Sequence, residues 1–423
     1  MVNYLKNTGS TKEIIQGILF TLFCFFASFS VSISQLCAAL ASLFWLSESL
    51  FDMKNYQKSK KLKTYFQETY KTIKEKDILQ YVLAFIFYKF FHVLISSNVQ
   101  KEFATTKELL LLLVFFTLLF SLKNDKWVFI SIIALLLGAF ITSVYNLNKL
   151  IIEEKSLFDI RAAALDNTNS LTYTGTMAFI FFLGLGYSIK SFIEEKNKNT
   201  LLLSILTFFA FIGFILSGSK GGFISLGLTF VFLCALFLRK KFIFVLPFLM
   251  VIPVYAYKYI TPINVAVNDV LSKQQGQSGT VNERIDLWKA GVLMWIDHPL
   301  LGTGEADYMN LYHKYKMKGA QSVAAKGSHM HNDYLDILVR FGSIGFTILL
   351  MFYFYPIIIF LQKMKIIFAS KQKYILIFST AAVVMISFMS LTQCHFRDDE
   401  VQILLWLTLG IFFREINKID NKK

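Results

Sequence analysis

The stretch GSHMHNDYLDILVRFGSIG, residues 327–345, places two imidazoles, an amide and a carboxylate directly before a long apolar run. A neutral imidazole can accept a proton from a hydroxyl near pH 7, so His331 is a candidate general base. His329, His331 and Asp333 are also candidate metal ligands, because on an extended strand both rings point the same way. The pattern specifies no complete ligand set, so a metal site is a weaker alternative to the general base than ordinary surface histidines are.

Three further polar groups could act with these histidines. In LSGSKGGFIS, residues 216–225, backbone N–H groups and the Lys220 ammonium could cradle a phosphate at the start of the following helix. A tight re-entrant turn whose lysine reaches the lipid headgroups fits this stretch equally well. Arg284 could bind a diphosphate through paired hydrogen bonds, although a salt bridge is favoured when this residue is taken alone. In QCHFRDDE, residues 393–400, a structural ion-pair cluster around Arg397 is favoured over catalysis.

The elements that position these groups follow from composition. The chain has 423 residues, of which 55% are hydrophobic and 17% charged, and a mean hydropathy of +0.53. A soluble domain carries about 25% charged residues. We therefore expect an all-α polytopic membrane protein of about twelve transmembrane helices. Each span must be helical because backbone N–H and C=O groups in lipid have no water to bond. The predicted spans are 14–33, 36–51, 78–97, 108–122, 127–147, 172–189, 201–216, 222–238, 242–260, 341–362, 374–392 and 401–413.

Lysine and arginine set the predicted orientation. They concentrate in the loops on one side, including eight lysines between Lys54 and Lys76. The net charge of +15 is therefore assigned to membrane topology, not to nucleic-acid binding. Both termini are predicted to be cytoplasmic, and the first apolar run, long for a signal peptide, is predicted to stay as a span. The chain, residues 1–423, is expected to form one integral membrane domain.

The largest polar segment, 261–330, is then an outward loop between the ninth and tenth spans. Within it, TVNERIDLWKAGVLMWIDHPLLGTG opens with a capping-box pattern and continues at helical spacing. The spacing predicts an amphipathic helix with Ile285, Trp288, Val292 and Trp295 on its apolar face. Such a helix either lies at the membrane interface or packs on the spans.

This topology places Lys220, Arg284, His331 and Arg397 on the same outward side of the membrane. Cations beside a base at the lipid boundary suit a lipid-linked phosphate substrate. A transporter would instead carry its polar groups and broken helices near the membrane midplane, often in repeated halves. The one-sided polar cluster favours an enzyme over a flippase of lipid-linked sugars or a structural scaffold.

The same residues resemble a known family. His331 and Asn332, followed by Gly342 and Gly345, resemble the signature of bacterial O-antigen ligases. ERIDLWKAG followed by HPLLGTG resembles a loop of the wider superfamily, which also holds O-antigen polymerases and protein O-oligosaccharyltransferases. SGSKGG stands where that superfamily usually has a Ser/Thr-x-Arg-Gly-like turn. Lys220 therefore departs from the family pattern, keeping the charge but losing the bidentate fork of arginine.

The resemblance implies a GT-C-type glycosyltransferase of the bacterial inner membrane with a periplasmic active site. It implies transfer of a glycan from undecaprenyl diphosphate to a sugar hydroxyl of lipid A–core, with no metal or other cofactor. His331 would then be the general base, and Arg284 would be catalytic as well as bind the diphosphate together with Lys220 and Arg397. Supporting positions are His329, Asn332 and Asp333.

Two relatives within the superfamily remain as alternatives to the ligase. An O-antigen polymerase would join repeat units on the carrier lipid, and a protein O-oligosaccharyltransferase would modify a serine of a pilin-like protein. Recognition of the acceptor separates these activities, and we expect it to depend on residues 300–330. We favour the ligase.

Overall fold

A computed structural model describes residues 11–58, 77–122, 124–153, 162, 169–195, 199–244, 280–315 and 329–421. Within these ranges the chain is helical apart from turns and short connections and has no β-strand, which confirms the all-helical prediction. The described helices, numbered in chain order, are α1 (Thr11–Phe26), α2 (Val31–Lys58), α3 (Asp77–Ile95), α4 (Val99–Ser121), α5 (Asp125–Ile152), α6 (Ser170–Lys190), α7 (Thr200–Leu216), α8 (Lys220–Leu238), α9 (Thr280–Asp297), α10 (Gly304–Tyr315), α11 (Asp333–Gln362), α12 (Met364–Ala369), α13 (Lys373–Met389) and α14 (Asp399–Asp420).

Six helices of the described chain are long and apolar enough to cross a membrane: α3, α4, α5, α6, α8 and α11. Three shorter apolar helices lie at Ser32–Ser47, Thr200–Leu216 and Lys373–Met389. These helices make the chain a multi-pass membrane protein. The predicted span at 242–260 lies almost wholly outside the described residues, as do the loop segments 261–279 and 316–328. The expectation of about twelve spans therefore remains a prediction.

The buried centre of the bundle lies beneath the short connection between α13 and α14. Helix α13 packs against α6, α8, α11 and α14 and is buried along most of its length. The fully buried Trp406 of α14 meets Phe352 of α11 edge to face, with 4.8 Å between ring centroids. Phe85 of α3 and Phe396 complete this aromatic cluster. Because such ring pairs prefer a defined geometry, they help to fix the relative positions of α3, α11 and α14.

The described part of segment 261–330 packs on α11 as two helices, α9 and α10. Leu287, Ala290 and Met294 of α9 are buried against α10 and α11. Trp288 and Trp295 of the predicted apolar face pack partly against the same cluster, but Val292 is 42% exposed. The predicted face was therefore wrong at Val292, since the buried stripe is centred one position toward the N-terminus.

The turn after α9 is locked into a kink of α11. Gly342 has φ +62°, and a Cβ there would lie 2.2 Å from the carbonyl oxygen of Leu300. Gly302 has φ +73°, and a Cβ on it would lie 2.5 Å from the carbonyl oxygen of Arg340. The backbone N–H of Ser343 donates to Pro299 O at 2.8 Å. The two glycines permit a backbone approach that holds α9 against the first turns of α11.

Candidate functional site

The segment carrying the two histidines lies immediately before α11 and is fixed through Met330. The Met330 N–H donates to Asp336 Oδ1 at 3.1 Å, and Met330 O accepts from Trp288 Nε1 at 2.9 Å. His331, the next residue, has φ +51°. A residue with a side chain pays about 1–3 kcal/mol for a sparsely populated backbone conformation, so the surrounding contacts must impose it. Helices α9 and α11 together hold this segment in place.

The His331 ring has a defined hydrogen-bond partner, which the sequence had not indicated. His331 Nδ1 lies 2.9 Å from Oε1 of Gln393, in the connection between α13 and α14. A carboxamide oxygen can only accept, so this bond requires the proton on Nδ1 and leaves a lone pair on Nε2. The backbone N–H of His331 donates to His329 Nδ1 at 3.2 Å, and the two rings meet with centroids 4.3 Å apart.

Both histidines are held in their neutral forms. Burial lowers the pKa of His331, and the nearby positive charge of Arg284 lowers it further, while the hydrogen bond to Gln393 opposes them. Burial and the proximity of His331 lower the pKa of His329 to about 4. A neutral imidazole with an available lone pair is the form that a general base requires.

Arg284 lies near the start of α9, close enough to His331 for its charge to act on the imidazole. Its side chain is half-buried, and burial lowers its pKa. Among the side chains that the structure describes, no carboxylate forms an ion pair with Arg284. A half-buried guanidinium without such a partner is suited to binding an anion.

The glycine-rich turn at Lys220 meets the connection that carries Gln393. Ser219 caps α8 by accepting the Gly222 N–H at 3.1 Å, and Lys220 is exposed at the first position of this helix. Gly221 packs on Thr392, since a Cβ there would lie 2.4 Å from Thr392 Oγ1. Thr392 precedes Gln393, so the α8 N-terminus and the His331 segment contact neighbouring residues of one turn. Helix N-termini favour anions.

Arg397 is engaged by carboxylates of other elements. It donates a short hydrogen bond to Glu305 of α10, and its Nη1 lies 3.8 Å from Asp336 Oδ1. Glu305 also accepts from Arg340 Nη1 at 2.5 Å, and Arg340 Nη2 lies 2.5 Å from Asp336 Oδ2. Burial alone would raise the pKa of Glu305, but Arg340 and Arg397 lower it to about 2. Within QCHFRDDE, His395 Nδ1 lies 3.7 Å from Asp398 Oδ2.

Asn332 and Asp333 have structural partners. Asn332 caps α11 by accepting the Leu335 N–H at 3.0 Å and donates to Leu391 O at 3.1 Å. The buried Asp333 carboxylate accepts from Ser390 Oγ at 2.6 Å and Phe396 N at 2.9 Å. Among the described residues, no three His, Cys, Asp or Glu side chains are grouped to hold a metal ion. The geometry gives no support to the metal alternative.

Comparison with known proteins relates part of this site to a known family. Residues 205–350 match the family model described as O-antigen ligase. Over this segment the chain is similar to the O-antigen ligase family. It carries Lys220, Arg284 and His331 and ends before Gln393 and Arg397. The apolar helices make the chain a multi-pass membrane protein, and the match relates residues 205–350 to O-antigen ligases.

A relative in Haemophilus influenzae, described as an uncharacterized protein, is similar to part of the chain. The two are 27% identical over 188 residues, which cover 41% of this chain and 47% of the relative. The match thus spans about half the length of that relative. It extends the similarity beyond the family model without assigning an activity.

Proposed function

We propose that this protein is an O-antigen ligase that transfers a glycan from undecaprenyl diphosphate to a sugar hydroxyl of lipid A–core. It works as one integral membrane domain of the GT-C type in the bacterial inner membrane, with both termini cytoplasmic and loop 261–330 periplasmic. One observation carries the proposal. Neutral His331 bonds Gln393 through Nδ1 and keeps its Nε2 lone pair, beside the half-buried Arg284.

The proposed reaction is a displacement at the anomeric carbon of the donor sugar. The acceptor oxygen attacks this carbon while its proton passes to His331 Nε2. The bond between the anomeric carbon and the phosphate oxygen breaks, and its electron pair leaves with undecaprenyl diphosphate. Arg284 and Lys220 stabilise the charge that develops on the diphosphate. Arg397, whose charge Glu305 already balances, contributes less to this binding.

The proposal can be tested in a deletion strain complemented with wild-type or variant protein. Wild type is expected to restore glycan to lipid A–core, and His331→Ala is expected to leave the glycan on the carrier lipid. Normal transfer by well-expressed His331→Ala would refute the assignment of the base. Loss of long-chain glycan or glycoprotein with unchanged lipid A–core would favour the polymerase or the protein glycosyltransferase.

Arg284 can be tested against a second cation of the same helix. Arg284→Ala is expected to lower transfer by about 100-fold or more, the scale of losing one donor to a developing oxyanion. Arg284→Lys should retain part of the activity because it keeps the charge. Lys289→Ala, which removes an exposed cation of α9, is the matched control and should transfer normally. Equal donor use by Arg284→Ala and the control would exclude Arg284 from the site.

A further inference from the structure

Gln393 is a buried, uncharged residue that the proposed reaction does not by itself require. Its side chain is 3% exposed, and its Oε1 lies 2.9 Å from His331 Nδ1. Sequence reasoning passed over it because the neighbouring residues of QCHFRDDE carry charges and histidine. This buried carboxamide is hydrogen-bonded to the candidate base and can therefore influence which of the imidazole nitrogens carries the proton.

The connection that carries Gln393 is tied to the histidine segment by several hydrogen bonds. Asn332 Nδ2 donates to Leu391 O at 3.1 Å, and the Asp333 N–H donates to Ser390 O at 2.9 Å. Ser390 Oγ returns a hydrogen bond to the Asp333 carboxylate at 2.6 Å. These bonds prevent the His331 ring and Gln393 from moving apart independently.

The identity of the partner determines what its hydrogen bond does to the imidazole. A carboxamide oxygen accepts the Nδ1 proton and leaves the lone pair on Nε2. A carboxylate at the same place would fix the same tautomer but would also favour the imidazolium form. Glutamine therefore selects the same tautomer but favours the imidazolium form less than a carboxylate would, because it carries no charge.

The charged groups around His331 come from each packed element. Arg284 of α9 disfavours the imidazolium form, and Asp336 of α11 and Asp398 before α14 favour it. His329 lies beside the ring on the same segment, and Lys220 stands at the α8 N-terminus that packs on Thr392. These charges shift the pKa of the imidazole, but they do not decide which of its two nitrogens carries the proton of the neutral ring. The described hydrogen bond that distinguishes the two ring nitrogens is the one to Gln393.

We propose that Gln393 is a positioning residue that holds His331 as its Nδ1–H tautomer, with Nε2 ready to take the acceptor proton. The proposal rests on the proposed role of His331 as the base. It extends the site beyond residues 205–350, into the connection between α13 and α14.

The test compares Gln393→Glu, Gln393→Leu and Gln393→Asn in purified full-length protein. Two quantities are measured across pH: the rate of glycan transfer, and the rate at which diethyl pyrocarbonate carbethoxylates His331, followed by mass spectrometry of its peptide. Carbethoxylation needs unprotonated imidazole and so reports the pKa of His331 without reference to activity. Exposed His313 serves as an internal reference. Gln35→Leu, which removes a glutamine hydrogen bond to Asp399, is the matched control.

Gln393→Glu is expected to raise the pKa of His331 by about one unit or more, and to move the acidic limb of the transfer profile upward equally. Gln393→Leu and Gln393→Asn should slow transfer by about 10- to 100-fold, part of the contribution of a general base. Gln35→Leu should change neither quantity.

Each outcome bears on a different claim. An unchanged carbethoxylation profile in Gln393→Glu overturns the positioning role, whatever the transfer rate. A raised His331 pKa without a shift of the transfer profile supports the contact and removes His331 from the reaction. Should Gln393→Glu fail to fold, wild-type transfer rates in Gln393→Leu and Gln393→Asn would also overturn the proposal.

Discussion

The substitution Glu305→Gln tests whether the buried ion pairs hold α10 on α11 and on the connection before α14. Glu305 of α10 accepts from Arg340 of α11 and from Arg397 before α14, and 15% of its side chain is exposed. Glutamine has nearly the same shape but no charge. The variant therefore leaves two partly or fully buried guanidinium groups with less compensation, while packing is largely preserved.

The expected magnitude follows from the pKa of the carboxyl group. Burial alone would raise it, but the two arginines lower it from 4.5 to about 2. This difference corresponds to about 3 kcal/mol, within the range measured for breaking buried ion pairs. The contribution is complete above pH 4.5 and is lost as pH falls through about 2. At pH 7 the full loss should therefore be seen.

The assay is trypsin cleavage at Lys289 and Lys314, which are exposed on α9 and α10. If α10 must detach before cleavage, a loss of about 3 kcal/mol accelerates cleavage by about 100-fold. Glu153→Gln is the control, since Glu153 forms an exposed pair with Lys149 at 3.9 Å. Such pairs contribute about 0.5 kcal/mol or less, so the control should cleave like wild type. Cleavage of Glu305→Gln within about 2-fold of wild type would refute this account of the ion pairs.

Three further predictions follow from the same structure. Gly342→Ala should lower thermal stability in detergent, because the φ of Gly342 is +62° and the new Cβ would lie 2.2 Å from Leu300 O. Gly227→Ala is the control and should not lower it, because a Cβ at Gly227 meets nothing within 4 Å. Equal melting temperatures of the two variants would contradict the proposed packing of the α9 turn on α11. Since the pKa of His331 is lowered, transfer should persist as pH falls to 6.5 and decline only below it, and a limb above 6.5 in kcat/KM would contradict this. Transfer by protein dialysed against EDTA should be unchanged, whereas loss of activity restored by a divalent cation would return a metal to the mechanism.

The helices were predictable because a long apolar segment in lipid can pair its own backbone N–H and C=O groups only as a helix. The first predicted span still extended too far, since α1 ends at Phe26 and α2 begins at Val31. The buried face of α9 was harder to predict. Leu287 and Met294 compete with Val292 for the apolar side, and only the packing of α10 and α11 decides between them.

The sequence predicts a set of charges on one side of the membrane, but it does not predict the hydrogen bonds of the candidate site. His331 meets Gln393 across 62 residues of sequence, and Arg340 meets Glu305 across 35. Spacing along the chain contains no information about such distant contacts. The pair of Asp336 and Arg340 could be predicted because one helical turn separates them.

The central claim is most directly tested with purified protein, donor glycan on undecaprenyl diphosphate, and lipid A–core in detergent. Release of free undecaprenyl diphosphate and formation of glycosylated lipid A–core are measured together. Wild type should produce the two in equal amounts, and His331→Ala should produce neither. Formation of neither product by folded wild type, or release of diphosphate with the glycan joined to another carrier-linked glycan, would contradict the account.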